Sequence, residues 1–232
     1  GKRGGQPSVR QAAINARLVD EARAGRIVAR LKGGDPYLFG RGSEEAEYLH
    51  EHGIAFEVVP GVPSPIAATA YAGLSLTHRD LASSVAYITA TESDEKERTS
   101  HDWAKLATAT QTLVIFMGVR KLRTQMELLA RHGRSPETPV AVIQNASKPE
   151  QKTVVGTVAT IADLVDRAGI GMPALTIVGE VVRLREHLRW FDTRPLFGRR
   201  VLVTRAQEQA STVSRMLRDA GMLRAQEQKA RT

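Results

Sequence analysis

A chain of 232 residues that is 42% hydrophobic and 25% charged has a globular composition and can bury a substantial core in one or two domains. No apolar run approaches the roughly 20 residues needed to span a bilayer, and zero cysteines exclude disulfides, thiolate metal sites and thiol nucleophiles, in keeping with a reducing cytoplasm. The net charge of +8 suits nucleic acid, an anionic membrane surface, a polyanionic small molecule or simply a solvated basic surface, but with 5% aromatics, none interleaved with the basic residues, a base-stacking surface lacks support.

The opening Gly1-Lys2-Arg3-Gly4-Gly5 has no apolar segment behind its charges and does not read as a signal peptide. Ser8 and Gln11 have capping-box spacing, and Ile14, Leu18 and Ala22 recur on one face until Gly25, which predicts a first helix. Ile27 to Leu31 is short and apolar and predicts a strand, broken at Lys32-Gly33-Gly34-Asp35-Pro36. A second helix is predicted from about Ser43, with Glu44 and Glu45 favouring its dipole and Gly53 ending it. Phe56 to Val59 predicts another strand, followed by a sharp loop from Pro60 to Pro65. Ser64 is placed to cap a small-residue helix running to Ala72, with Pro65 in its first turn. This alternation is that of an α/β domain.

After Asp80 the pattern is less regular. Strands are predicted over 85–89, 112–117, 139–143 and 174–178, with an antiparallel edge strand over 152–158. Helices are predicted over 122–131 and 161–166, and the charged stretch 92–102 reads as a surface loop. A composition change at Asp192-Thr193-Arg194-Pro195 predicts a linker. Beyond it, one strand (200–204) and one helix (207–220) are too little to bury a face of their own. The tail from Met222 is expected to be unstructured, and the five-residue duplication at 205–209 and 224–228 is too short for a structural repeat.

Lys32-Gly33-Gly34-Asp35-Pro36 stands where a parallel strand would end, the ligand edge of an open α/β sheet. Its glycines let a ligand reach backbone N–H groups, and Asp35 can complement a cation such as a sulfonium. Gly-Asp-Pro also favours a plain turn for local reasons, so both readings stay open on chemistry alone. Neither G-x-G-x-x-G nor a Walker loop is present. Arg41, flanked by glycines, is suited to grip a carboxylate bidentately or to pair with Glu44 or Glu45. Thr77-His78-Arg79-Asp80 is a substrate patch or a turn. His50 and His52 lie two apart and do not share a helix face, so no metal site is expected, and no Gly-x-Ser-x-Gly elbow anchors hydrolysis.

Together, residues 30–42 (RLKGGDPYLFGRG), 57–64 (EVVPGVPS), 71–80 (YAGLSLTHRD) and 112–118 (TLVIFMG) resemble the tetrapyrrole methylases, and within them the uroporphyrinogen-III C-methyltransferases. The resemblance runs from Gly1 to about Phe191. It implies an α/β fold of two lobes with the cofactor in their cleft, a homodimer, and residues 1–81 and 82–192 as the lobes. It also implies S-adenosyl-L-methionine as cofactor and uroporphyrinogen III as substrate, giving precorrin-2 for sirohaem and cobalamin. By match to the family's motifs, Gly33, Gly34, Asp35, Leu38, Pro63, Ser64, Met117, Ala146, Ala174 and Thr176 would contact the cofactor. Lys2 would have an acid/base role, and Arg41 and Arg79 would meet substrate carboxylates. A polycarboxylate substrate accounts for the basic charge better than nucleic acid does.

The family opens with a strand and a Gly-x-Gly-Pro-Gly-Asp loop, and this sequence starts after both, so an incomplete first lobe is expected. Pro7 stands for the family's histidine, Ala90-Thr91 for Gly-His and Ala146 for glycine. An alanine keeps a backbone contact only where φ is negative. The stretch from Pro195, residues 195–221 (PLFGRRVLVTRAQEQASTVSRMLRDAG), is similar to the opening of uroporphyrinogen-III synthase, which suggests a fused enzyme, with 193–232 as linker, opening strand and helix, and tail. Two further readings are an inactive or binding-only remnant and a sibling precorrin methylase.

Overall fold

The computed structural model describes residues 9–90, 101–201 and 207–222. The chain divides into two compact units, Gly1–Ser64 and Pro65–Thr232.

In the first unit, α1 (Gln11–Arg23) and α2 (Gly42–Glu51) form where the apolar spacing predicts them. The expected capping box is corrected: α1 begins after Arg10, and the Gln11 amide donates to Asn15 Oδ1 and Glu45 Oε1 at 3.0 and 2.9 Å. The two strands expected over 27–31 and 56–59 are corrected as well. Neither segment is in a sheet, and neither makes a backbone–backbone hydrogen bond among the described residues. A short apolar run supplies strand side chains, but a strand also needs a partner to close its ladder. Ile27, Leu31 and Val59 are accordingly exposed.

Among the described residues of the second unit there is one five-stranded sheet: β1 (Val85–Thr89), β2 (Thr112–Phe116), β3 (Pro139–Gln144), β4 (Lys152–Thr157) and β5 (Ala174–Val178), in the order β1-β2-β5-β3-β4. β1 and β2 are parallel, β5 is antiparallel to both β2 and β3, and β4 is antiparallel to β3. Each strand predicted from residue 85 to 178 is present to within one residue. β4 pairs only with β3, as its mixed polar and apolar pattern predicts. β5, by contrast, lies between two strands, and Leu175 to Val178 is buried without a break.

Side-chain alternation gives this sheet two apolar faces. Leu113, Ile115, Val140 and Val142 pack with α4 (Trp103–Ala109), α5 (Leu122–Arg131) and α6 (Ile161–Arg167). On the opposite face, Val114, Ala141, Ile143 and Ile177 pack with Ala68 and Ala72 of α3 (Ser64–Ala72) and with Val181 and Val182. The alternate residues therefore serve separate cores, with period two along each strand.

Two helical stretches escaped the sequence reading. α4 follows directly on the charged segment, with Asp102 Oδ1 accepting from Lys105 N–H at 3.2 Å as its cap. Glu180–Leu184 forms a 3-10 turn leading into α7 (Arg185–Leu188). Trp190 and Phe191, just before the expected linker, pack with Arg194 inside it. Trp190 Nε1 donates to Ala70 O at 2.9 Å, and the Arg194 guanidinium lies 4.7 and 4.8 Å from the Trp190 and Phe191 ring centres. α8 (Gln207–Asp219) matches the last predicted helix, and Met222 is buried, unlike the start of a loose tail. Most of the loop expected over 92–102, most of the strand over 200–204 and the tail from 223 lie outside the described residues.

Leu129 on α5 is fully buried in the first of these cores. Leu129→Ala is therefore expected to lower unfolding free energy by about 2–5 kcal/mol in equilibrium denaturation, and a loss below about 1 kcal/mol would contradict this packing.

Candidate functional site

Strand direction sets up an edge in the second unit. β1, β2 and β3 run the same way, so Thr89, Phe116 and Gln144 end together. The starts of β4 and β5 lie on that same edge, with Lys152 and Ala174 both opposite Gln144. Four residues singled out in the sequence fall here. Met117 follows β2, Ala146 follows β3, Ala174 opens β5, and Thr176 lies one residue inside Leu175.

The turns at this edge are conformationally strained. Met117, Asn145 and Ser147 have φ of 54°, 50° and 67°, a region that costs a non-glycine residue roughly 1–2 kcal/mol. Such outliers persist only where surrounding contacts fix them, and they concentrate at functional sites. Here Ser147 N–H donates to Gln151 Oε1 at 2.9 Å, while Gln151 Nε2 donates to Tyr71 O at 3.2 Å. Asn145 N–H donates to Pro173 O at 3.3 Å. Ala146, between two left-handed residues, is not itself left-handed, so alanine replaces glycine here without backbone strain.

Thr176 is fully buried, and its Oγ1 has no hydrogen-bond partner. Gln125 on α5 is likewise buried with Oε1 unpaired, and its carboxamide lies beneath Gly118, where an added Cβ would come within 2.8 Å. Buried polar atoms normally find partners, so an orphaned hydroxyl beside a strained edge fits a site that receives a polar ligand group. Gln125 was not identified from sequence; on a helix of period 3.6 it reads as a surface residue.

The first unit brings two loops together. Asp35 Oδ1 accepts from Tyr37 N–H at 2.8 Å, and Oδ2 accepts from Gly61 N–H at 3.1 Å. Gly34 has φ of 86°, and a Cβ on Gly61 would sit 2.5 Å from Gly34 O. The glycines thus allow the backbones of Lys32–Pro36 and Pro60–Ser64 to meet. Gly33, Gly34 and Ser64 are exposed, while Leu38 and Pro63 are half-buried. The backbone N–H groups of Gly61 and Tyr37 hold the Asp35 carboxyl below the usual carboxylate range.

Arg41 pairs with Glu44, its Nε donating at 2.9 and 3.1 Å to the two carboxylate oxygens, one of the pairings that the sequence offered beside a carboxylate-binding role. An exposed pair of this kind is worth about 0–1 kcal/mol, so an incoming carboxylate can compete for the guanidinium. Arg79 is exposed in the turn closed by His78 N–H donating to Ala82 O at 2.9 Å. Lys2 lies outside the described residues.

Also missed was the surrounding of Glu45, read as a helix-dipole residue. It is 4% exposed, and its Oε2 lies 2.8 Å from Lys32 Nζ. Oε1 accepts from Gln11 Nε2 at 2.9 Å and from Arg30 Nε and Nη2 at 3.3 and 3.2 Å. Burial pushes the Glu45 carboxyl up, but Lys32, Gln11 and Arg30 outweigh it and hold it below its ordinary value. Residue spacing of 34 between Gln11 and Glu45 leaves no local signal of this contact.

The Asp35 carboxylate has its pKa lowered on folding, so its contribution is present above its ordinary value of 3.8 and is lost as pH falls through the lowered one. Gly61 amide exchange is therefore expected to stay slow at neutral pH and to quicken in Asp35→Ala. Equal exchange in the two proteins at neutral pH would contradict the contact.

The model of the Tetrapyrrole (Corrin/Porphyrin) Methylases matches residues 2–162. An S-adenosyl-L-methionine-dependent uroporphyrinogen III methyltransferase of Methanosarcina barkeri is 49% identical over 188 residues, covering 81% of this chain and 74% of that one. A uroporphyrinogen-III C-methyltransferase of Bacillus subtilis is 45% identical over 213 residues, 92% of this chain but 44% of its own length. The chain thus spans less than half of the longer relative. Among solved structures, the uroporphyrin-III C-methyl transferase of Thermus thermophilus complexed with S-adenyl homocysteine is 39% identical, with a TM-score of 0.65 over 75% of each chain. By sequence match and by fold, this chain belongs to the tetrapyrrole methylases.

Proposed function

We propose that this chain is an S-adenosyl-L-methionine-dependent C-methyltransferase acting on uroporphyrinogen III, with precorrin-2 as product and sirohaem and cobalamin as destinations. The observation that carries the reading is the gathering of Met117, Ala146, Ala174 and Thr176 at one edge of the sheet. Its support from likeness is the 45–49% identity to enzymes named for this reaction. The sibling reading has no residue-level observation in its favour, and neither does the inactive remnant.

Bound S-adenosyl-L-methionine supplies an electrophilic methyl group on a sulfonium, suited to attack by an electron-rich pyrrole carbon. The chain's own residues bind and orient. Gly33 and Gly34 offer backbone without Cβ atoms, Asp35 adds negative charge, and Leu38, Pro63 and Ser64 complete that side. Met117 and Ala146 offer the turns after β2 and β3. Ala174 and Thr176 lie on β5, where the unpaired Thr176 hydroxyl suits a polar edge of adenine. Arg41 and Arg79 neutralise carboxylates of the macrocycle, and Lys2 serves in proton transfer. Rate enhancement would come chiefly from alignment and charge neutralisation.

The reading includes a cytoplasmic homodimer, lobes at 1–81 and 82–192, and a linker with the opening of a synthase-like domain at 193–232. For the last, the support is sequence likeness together with helix α8.

Methyl transfer from labelled S-adenosyl-L-methionine to uroporphyrinogen III tests the activity, with precorrin-2 as the expected product. Arg79→Ala is expected to raise KM for the macrocycle on the order of tenfold while leaving cofactor affinity unchanged, as for loss of a charge-assisted contact. No cofactor binding and no transfer by the unmodified chain would contradict the reading.

A further inference from the structure

Glu45 is the one buried carboxylate residue among the described residues. Its neighbours come from three parts of the first unit: Gln11 on α1, Arg30 before the glycine turn and Lys32 at the start of that turn. The Lys32 ammonium has a second bond, donating to Gly40 O at 2.6 Å. One ammonium therefore ties the start of the Gly33–Phe39 turn to its end, and Glu45 fixes the ammonium to α2.

What the tie restrains is a strained piece of backbone. Phe39 and Arg41, on either side of Gly40, have φ of 53° and 58°. The chain there wraps around the Pro36 carbonyl, which accepts from Gly42 N–H at 3.0 Å. Added Cβ atoms on Gly40 and Gly42 would lie 2.5 Å from that oxygen. Left-handed conformation at phenylalanine and arginine needs external restraint, and the carbonyl held by Lys32 lies between the two. Buried ion pairs stabilise little beyond an apolar pair of equal volume, so fixing geometry is the better account of why charges are buried here.

We propose that Glu45 and Lys32 are positioning residues that hold the Gly33–Phe39 turn in its ligand-ready shape, so that cofactor affinity depends on a pair that need not touch the cofactor. The proposal rests on the cofactor reading above.

Calorimetric titration with S-adenosylhomocysteine, with thermal unfolding of the same samples, tests this on the full chain. Glu45→Gln and Lys32→Met are each expected to raise Kd on the order of tenfold, as displacement of a supporting group does. The double variant E45L/K32M removes both buried charges of the pair and leaves only the Arg30 guanidinium, which is part-exposed and can turn to solvent. Its melting temperature should recover relative to the singles while its affinity stays weak. Unchanged Kd in Glu45→Gln, or affinity recovering together with stability in the double variant, would overturn the proposal. Where a single variant does not fold, the double variant decides by the same criterion. An unmodified chain that binds no S-adenosylhomocysteine contradicts the cofactor reading instead. The tie is then judged by Gly42 amide exchange, which Glu45→Gln accelerates if the pair holds the turn and leaves alone if it does not.

Discussion

β5 runs antiparallel to β2 on one side and to β3 on the other, and this double ladder fixes where both neighbours end. Leu113 to Phe116 and Val140 to Gln144 are pulled into one register through Leu175 to Val178. The turns after Phe116 and Gln144 consequently open at one end of the sheet, on either side of the start of β5. The apolar content of β5 follows from the same placement: covered on both faces and paired on both edges, it has no position at which water would favour a polar residue, and the one polar residue it carries, Thr176, is fully buried.

A second theme is backbone held in shape by side chains far away in sequence. Asp35 receives the Gly61 N–H across 26 positions, and Gln151 reaches Tyr71 across 80. In each unit the loops that carry candidate ligand contacts also carry the left-handed non-glycine residues: Phe39 and Arg41 in one, Met117, Asn145 and Ser147 in the other. Strained turns fixed by polar side chains present their N–H groups in a preset arrangement. Binding there loses less conformational freedom than binding to loose loops.

The second unit was largely legible because its strands carry their own signal. Val85–Thr89, Pro139–Gln144 and Ala174–Val178 are β-branched runs bounded by turn residues, and the ends of α5 and α6 are marked by Gly133 and Gly169. The order of those strands was not legible, since no residue of β5 states which neighbours it will have. In the first unit the same kind of signal misled. Ile27-Val28-Ala29-Arg30-Leu31 has a strand's composition, yet its pairing depends on neighbours that the described residues do not provide. At the candidate site, the motifs located the glycine turns and the turns after β2 and β3. The residues that hold those turns (Glu45, Gln151 and Gln125) were not found, because each acts through a contact remote in sequence and has an ordinary local role as a helix or loop residue.

The central claim is that the turns after β2 and β3, with the start of β5 between them, form the ligand edge of the sheet. Hydrogen–deuterium exchange of the full chain with and without S-adenosylhomocysteine tests it most directly. The account predicts slowed exchange over 117–118, 145–147 and 174–176, with 180–189 unaffected. No protection at that edge, or protection centred on 180–189 at the other end of β5, would contradict it.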